Sequence, residues 1–171
     1  NNAKIKTSVT TFVKSFFKEF NSDQVIKNMM RSKKWCESKY YGQTADEIKD
    51  GWEYNRIEAA RLGTQMHKYI EDFYNKRQSD DLEDVKEIKM FHVFHYEHRH
   101  LKPYRTEWEI YDEDLDIAGS IDMLYENDDG TLDICDWKRC AEIKKENKWG
   151  KGKYPFQHLP DTNYWHYCIQ L

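Results

Sequence analysis

The stretch AGSIDMLYENDDGTLDICDWKR, Ala118 to Arg139, decides how this chain is read. Two short runs rich in apolar residues, Ile117–Glu126 and Thr131–Lys138, flank Asn127-Asp128-Asp129-Gly130. That tetrapeptide is a turn signal, with glycine available for the positive φ that compact hairpin loops need. A tight β-hairpin is predicted. If Asn127 faces Gly130, Cys135 falls opposite Asp122, and Asp136 opposite Ile121. A one-residue glycine bulge shifts the register and sets Asp122 directly opposite Asp136 on a shared face. Asp136 and Lys138, two apart on one strand, project together, and Trp137 projects to the other side.

Two close carboxylates repel each other, and burial raises the cost. A hard cation such as Mg²⁺ relieves it, because it takes oxygen ligands and keeps several waters. Such a cation can acidify a water, polarise a phosphoryl oxygen and stabilise a leaving oxyanion. Lys138 would then orient the attacking water or neutralise charge developing at phosphorus. The backbone carbonyl of Trp137 is a further candidate oxygen ligand. A plain surface hairpin carrying an Asp-x-Lys ion pair uses the same residues, and short acidic patterns arise often by chance.

A second constellation lies upstream in RLGTQMHKYIE, Arg61 to Glu71. His67 and Glu71 stand four apart and share a helical face. A neutral His67 would add a nitrogen ligand, with Glu71 as an outer partner or second ligand. An ordinary His–Glu hydrogen bond on a helix surface is the alternative. Gly63 and Thr64 either start that helix or allow close packing against another backbone. Glu107 and Glu109 alternate with Trp108 and Ile110, so one acid is expected to face the site, and Glu107 is preferred. The pattern HExxH is absent, which removes a zinc-protease reading. His92, His95, His98 and His100 lack the cysteines or acids that would complete a zinc site, so no metal is expected there.

Helices dominate the first hundred residues. Phe12, Val13, Phe16, Phe17 and Phe20 recur at helical spacing in Thr7–Phe20, after a Ser/Thr-rich entry. Further helical patterns cover Asp23–Met30, Ala45–Asn75 (two helices or one long one) and Asp84 to about His98, which Leu101-Lys102-Pro103 closes. After Pro103 short β runs follow, Arg105–Tyr111, Ile117–Glu126 and Thr131–Lys138, and then a helical pattern from Asn163 to the end. No repeat or long linker interrupts them. The expectation is one domain over 1–171 of α/β (α+β) class: residues 1–100 mainly helical, 101–171 a β-hairpin core and its following helix.

With 171 residues and 15% aromatics, the chain can bury a core despite a mean hydropathy of -1.02. No run of eighteen apolar residues exists, so no membrane span or membrane partner is expected, and no secretory signal is visible. Cys36, Cys135, Cys140 and Cys168 form no CxxC pair, which suits free thiols in an intracellular setting. A start at Asn1 and an unfinished terminal helix predict a piece of a longer protein.

The net charge of -4 argues against a passive nucleic-acid binder, but its distribution is uneven. From Glu107 to Asp136 there are twelve acids and no Lys or Arg; from Lys138 to Lys153 there are seven cations against Glu142 and Glu146. A cation site beside a polyanion-binding stripe is one reading, and ordinary clustering on solvated loops is the other. Arg139, Lys144, Lys148, Lys151 and Lys153, interleaved with Trp149 and Tyr154, could grip a phosphate backbone and stack a base.

His67 in GTQMHKYIE, Asp122 in GSIDM and Asp136-Trp137-Lys138 in DICDWKR together resemble the PD-(D/E)XK nuclease superfamily. More narrowly, they resemble its branch of RecB-type nuclease domains, the mitochondrial genome-maintenance exonuclease and CRISPR-associated exonucleases. The resemblance covers Gly63 to the end. It implies a restriction-endonuclease-like core, a mixed sheet flanked by helices, with His67, Asp122, Asp136 and the Trp137 carbonyl around Mg²⁺ or Mn²⁺ and Lys138 in the site. That branch also carries Gln-x-x-x-Tyr on a following helix. Gln170 could open that motif, with its tyrosine beyond Leu171; Asn163 and Tyr167 match less well. The cysteine spacing of the iron–sulfur members is not reproduced, so no cluster is expected. The combined expectation is a metal-dependent nuclease acting on DNA ends in replication, recombination or repair. Asp122, Asp136, Lys138, Glu71 and Glu107 form its catalytic set. An endonuclease, structure-specific or RNA-cleaving, would use the same residues, and a binding module without catalysis is the alternative of another class.

Overall fold

The computed structural model describes residues 7–78, 82–148 and 150–171. In chain order they form β1 (Thr7–Ser8), α1 (Val9–Ser15), α2 (Ser22–Met30), a 3₁₀ turn (Trp35–Glu37), α3 (Ala45–Tyr74), α4 (Lys86–Glu97), β2 (Lys102–Asp112), β3 (Ile117–Glu126), β4 (Leu132–Cys135) and α5 (Asn163–Gln170). The class is α/β, with a four-stranded mixed sheet and five α-helices among the described residues. β3 is the hub. It pairs antiparallel with β2 on one edge; on the other it pairs antiparallel with β4 and, through Ile117–Ala118, parallel with β1. No helix among the described residues is long and apolar enough to cross a membrane.

By contacts the chain divides into two compact units, Glu19–Leu62 and Asn1–Lys18 with Gly63–Leu171. In the first, Ile26 and Ile48 are buried, Lys49 meets Asp23 at 2.7 Å, and the Trp52 indole donates to the Tyr40 hydroxyl at 2.8 Å. In the second, Met66, Tyr69 and Ile70 of α3 pack with Ile88 and Phe91 of α4, and Trp137 joins this cluster. Met123, Leu124 and Tyr125 of β3 are fully buried, and Tyr125 bonds Tyr74 hydroxyl to hydroxyl at 2.7 Å. The α4 histidines serve this aromatic packing: His92 bonds the Tyr69 hydroxyl at 2.9 Å and His95 meets that of Tyr74 at 3.4 Å.

Several placements differ from the sequence expectation, among them the start of β2 at Lys102 rather than Arg105. Thr7–Ser8 is strand, not helix, because the Ser8 hydroxyl accepts from the Thr11 amide at 3.1 Å and caps α1 one residue later. α1 also ends at Ser15 rather than Phe20. Gly63 neither starts a helix nor admits a close neighbour. It sits inside the continuous thirty-residue α3, and a Cβ there would meet nothing within 4 Å.

The hairpin takes the bulged register. Met123 lies opposite Cys135 and Leu124 opposite Ile134. The Asn127 amide donates to the Thr131 carbonyl at 2.8 Å, the Gly130 amide returns to Asn127 at 3.0 Å, and Gly130 has a φ of +82°. That is a three-residue loop whose last member is left-handed, the arrangement glycine tolerates at no steric cost. Replacing Gly130 with Ala forces a side chain into that region. The variant should lose about 1 kcal/mol, a melting temperature lower by roughly 2–4 °C in thermal denaturation.

Candidate active site

Strand pairing places three carboxylates in a row. Thr106 and Trp108 of β2 pair with Met123 and Ile121, so Glu107 stands level with Asp122. On the other side the β3–β4 register carries Asp136 level with the same residue. Side chains level with one another in neighbouring strands share a face. β4 ends at Cys135, short of the Lys138 limit expected for it, and the cause is local. The Trp137 amide donates to Asp122 Oδ2 at 2.7 Å, so it leaves the ladder to serve the carboxylate.

Glu107 has a φ of +44°, a left-handed conformation that costs a residue with a Cβ about 1–2 kcal/mol. Such strain persists where the surroundings enforce it, and it concentrates at functional sites. Its Oε2 accepts from the Ser120 hydroxyl at 3.2 Å. Its Oε1 lies 3.5 Å from His67 Nδ1, and Asp122 Oδ2 lies 3.6 Å from the same nitrogen. One donor atom each from His67, Glu107 and Asp122 thus fits within 4.8 Å of the others.

Asp136 belongs to a second cluster. Its Oδ1 accepts from Lys138 Nζ at 2.5 Å and from Gln170 Nε2 at 3.2 Å. The Lys138 ammonium also stands 5.6 Å from the centre of the Tyr167 ring, within cation–π range. Tyr167 and Gln170, three apart, share a face of α5 and hold the Asp136–Lys138 pair from one side. The Trp137 indole meets the rings of Phe91 and Phe94 edge to face, at centroid distances of 5.9 and 5.2 Å.

Other sequence candidates sit elsewhere. Glu71 pairs with Arg77 at 3.0 Å. Arg139 is held by Glu87 of α4 at 2.7 Å. Lys144 reaches Glu142 at 3.3 Å, and Lys153 Nζ donates to the Ser15 carbonyl at 3.0 Å. Lys148 and Lys151 are exposed, whereas Trp149 lies outside the described residues. Two residues join the site that the sequence reading did not assign to it. Ser120 was legible, since it stands two positions before Asp122 on one strand and faces the same way. Tyr167 was legible only as the tyrosine of the weaker Asn163-x-x-x-Tyr167 match.

Asp122 is 9% exposed. Burial pushes its carboxyl above the ordinary aspartate range, and the nearby charge of Asp136 pushes the same way. The Trp137 amide, His67 and Lys138 offset part of the rise. Two carboxylates and an imidazole converging in a partly dry setting are a donor set that a divalent cation such as Mg²⁺ or Mn²⁺ satisfies. His67, Glu107 and Asp122 would hold it. Comparison with protein-family models, with curated proteins and with solved structures finds no match for this chain.

The sign of the Asp122 shift sets a test. A raised folded-state value means that the protonated carboxyl favours the fold. That contribution is complete below the ordinary aspartate range and is lost as pH rises through the folded value. Asp122→Asn keeps an acceptor for the Trp137 amide and removes the charge. In EDTA it should match wild type near pH 3, below the ordinary aspartate range, and exceed it near pH 7, read as a higher melting temperature.

Proposed function

We propose that this chain is a metal-dependent nuclease that hydrolyses phosphodiester bonds of DNA, acting as an exonuclease in replication, recombination or repair. The observation that carries the reading is the convergence of His67, Glu107 and Asp122 beside a paired Asp136 and Lys138. Support also comes from the order His, Asp, Asp-x-Lys, which resembles that of the PD-(D/E)XK nucleases. Preference for DNA and for strand ends comes from that resemblance. The four free cysteines are compatible with the intracellular setting this reading carries.

A bound Mg²⁺ or Mn²⁺ would supply Lewis acidity toward the phosphoryl oxygens. Glu107 and Asp122 bring the negative charge that retains the cation, and His67 adds nitrogen. The Ser120 hydroxyl fixes the rotamer of Glu107, and the Trp137 amide fixes that of Asp122. Lys138 places its ammonium where it can orient a water nucleophile and stabilise charge gathering on the phosphoryl oxygens. Asp136 keeps that ammonium in place, and Gln170 keeps Asp136 in place. The exposed cations Lys148 and Lys151, with Arg139, Lys144 and Lys153 in the same stretch of sequence, are the groups that would meet a phosphate backbone.

The test uses end-labelled linear and closed circular DNA, single- and double-stranded, and an RNA control, with Mg²⁺, Mn²⁺ or EDTA. Wild type should shorten linear DNA with either metal and leave circles intact. Asp136→Ala and Lys138→Ala should each lower kcat by roughly a hundredfold or more. Cleavage of circles would make the enzyme an endonuclease. Absence of metal-dependent hydrolysis on every substrate, with both variants indistinguishable from wild type, would remove the enzyme reading.

A further inference from the structure

Beside Lys138 lies a cavity of about 550 Å³ to which the chemistry above assigns nothing. Met66 and Ile70 of α3, with Met90 and Phe94 of α4, form apolar walls, and Trp137 joins them. Three cations, Lys86, Lys138 and Arg139, stand among the lining residues against one acid, Glu87. Arg139 is engaged by Glu87 and Lys138 by Asp136, while Lys86 makes no ion pair among the described residues. An apolar hollow bordered by an excess of cations matches a flat apolar ring that bears an anionic group, and its size suits a small organic ligand.

One atom of the wall has an unmet need. Nε1 of Trp137 is buried and finds no acceptor among the described residues, although most buried donors in proteins find a partner. The aromatic neighbours Phe91 and Phe94 have no lone pair to offer. Trp137 lines the cavity together with Met66 and Met90, unbranched thioethers that shift readily, and Met90 is 62% exposed. A nucleobase meets each of these conditions. It brings a π face for Phe94 and the two sulfurs, and a carbonyl or ring nitrogen for Nε1.

We propose that this cavity receives one unstacked nucleobase, belonging to the nucleotide whose phosphate meets Lys138. The identity of that phosphate rests on the nuclease reading; the affinity of the cavity for a nucleotide does not. A base held here has left its stack, so the substrate would carry an unpaired nucleotide at the point of cleavage.

The test is calorimetric titration of the full chain in EDTA with deoxyadenosine monophosphate, deoxyadenosine and inorganic phosphate. The monophosphate should bind at least tenfold more tightly than inorganic phosphate. Met90→Asp places a carboxylate in the wall at an exposed position. It should erase that margin with an unchanged melting temperature. Equal affinities for the monophosphate and phosphate, or a margin that survives Met90→Asp, would overturn the inference. DNA cleavage measured in parallel keeps the two proposals apart. Cleavage without nucleotide preference removes only the cavity, and nucleotide preference without cleavage removes only the nuclease.

Discussion

The hydrogen bond from the Trp137 amide to Asp122 Oδ2, 2.7 Å long, joins the fold to its chemistry. It satisfies a carboxylate that the centre of the sheet leaves 9% exposed. It also withdraws Trp137 from the β-ladder, so β4 stops after four residues and the chain turns away with Lys138. On one side of this bond the indole enters the α3–α4 core; on the other Asp136 and Lys138 meet α5. A backbone amide is a suitable partner here because, of all substitutions at position 137, only proline would remove it. A charge-assisted bond of this kind is stronger than a neutral one, which suits a group whose burial opposes ionisation.

Two clusters with different electrostatic characters result. His67, Glu107 and Asp122 gather negative charge about an imidazole, while Asp136 is neutralised at close range by Lys138 and braced by an amide. Proximity of the two lets the first attract a cation while the second keeps an ammonium oriented beside it. The left-handed Glu107 belongs to this division. Its backbone departs from the extended form where its carboxylate meets both the Ser120 hydroxyl and the His67 ring.

The sheet and the helices were largely legible because each follows from short-range pattern. Ile117–Glu126 matches β3 residue for residue, and the turn at Asn127–Gly130 dictates the strand that follows. The α/β class was legible for the same reason. Less visible were features set by contacts between distant segments. Thr7–Ser8 reads as the entry to a helix, yet its pairing partner is the distant Ile117–Ala118. Glu71 shares a helical face with His67, but Arg77, just past the helix end, competes for its carboxylate. What separates Glu107 from Glu109 is its position level with Asp122, which the alternation of β2 alone does not show and the β2–β3 register does.

Surface loops usually accept added or deleted residues with little consequence. The loop from Asp128 to Gly130 is an exception. Its length fixes which residue of β4 stands across from which residue of β3, and side chains in strands alternate with a period of two. An insertion or deletion of one residue here would send Asp136 and Lys138 to the face now occupied by Trp137. The loop is exposed, bears no functional side chain and lies at the far end of the hairpin from the carboxylates. It nevertheless sets their alignment, as the pitch of a screw sets a position at its other end.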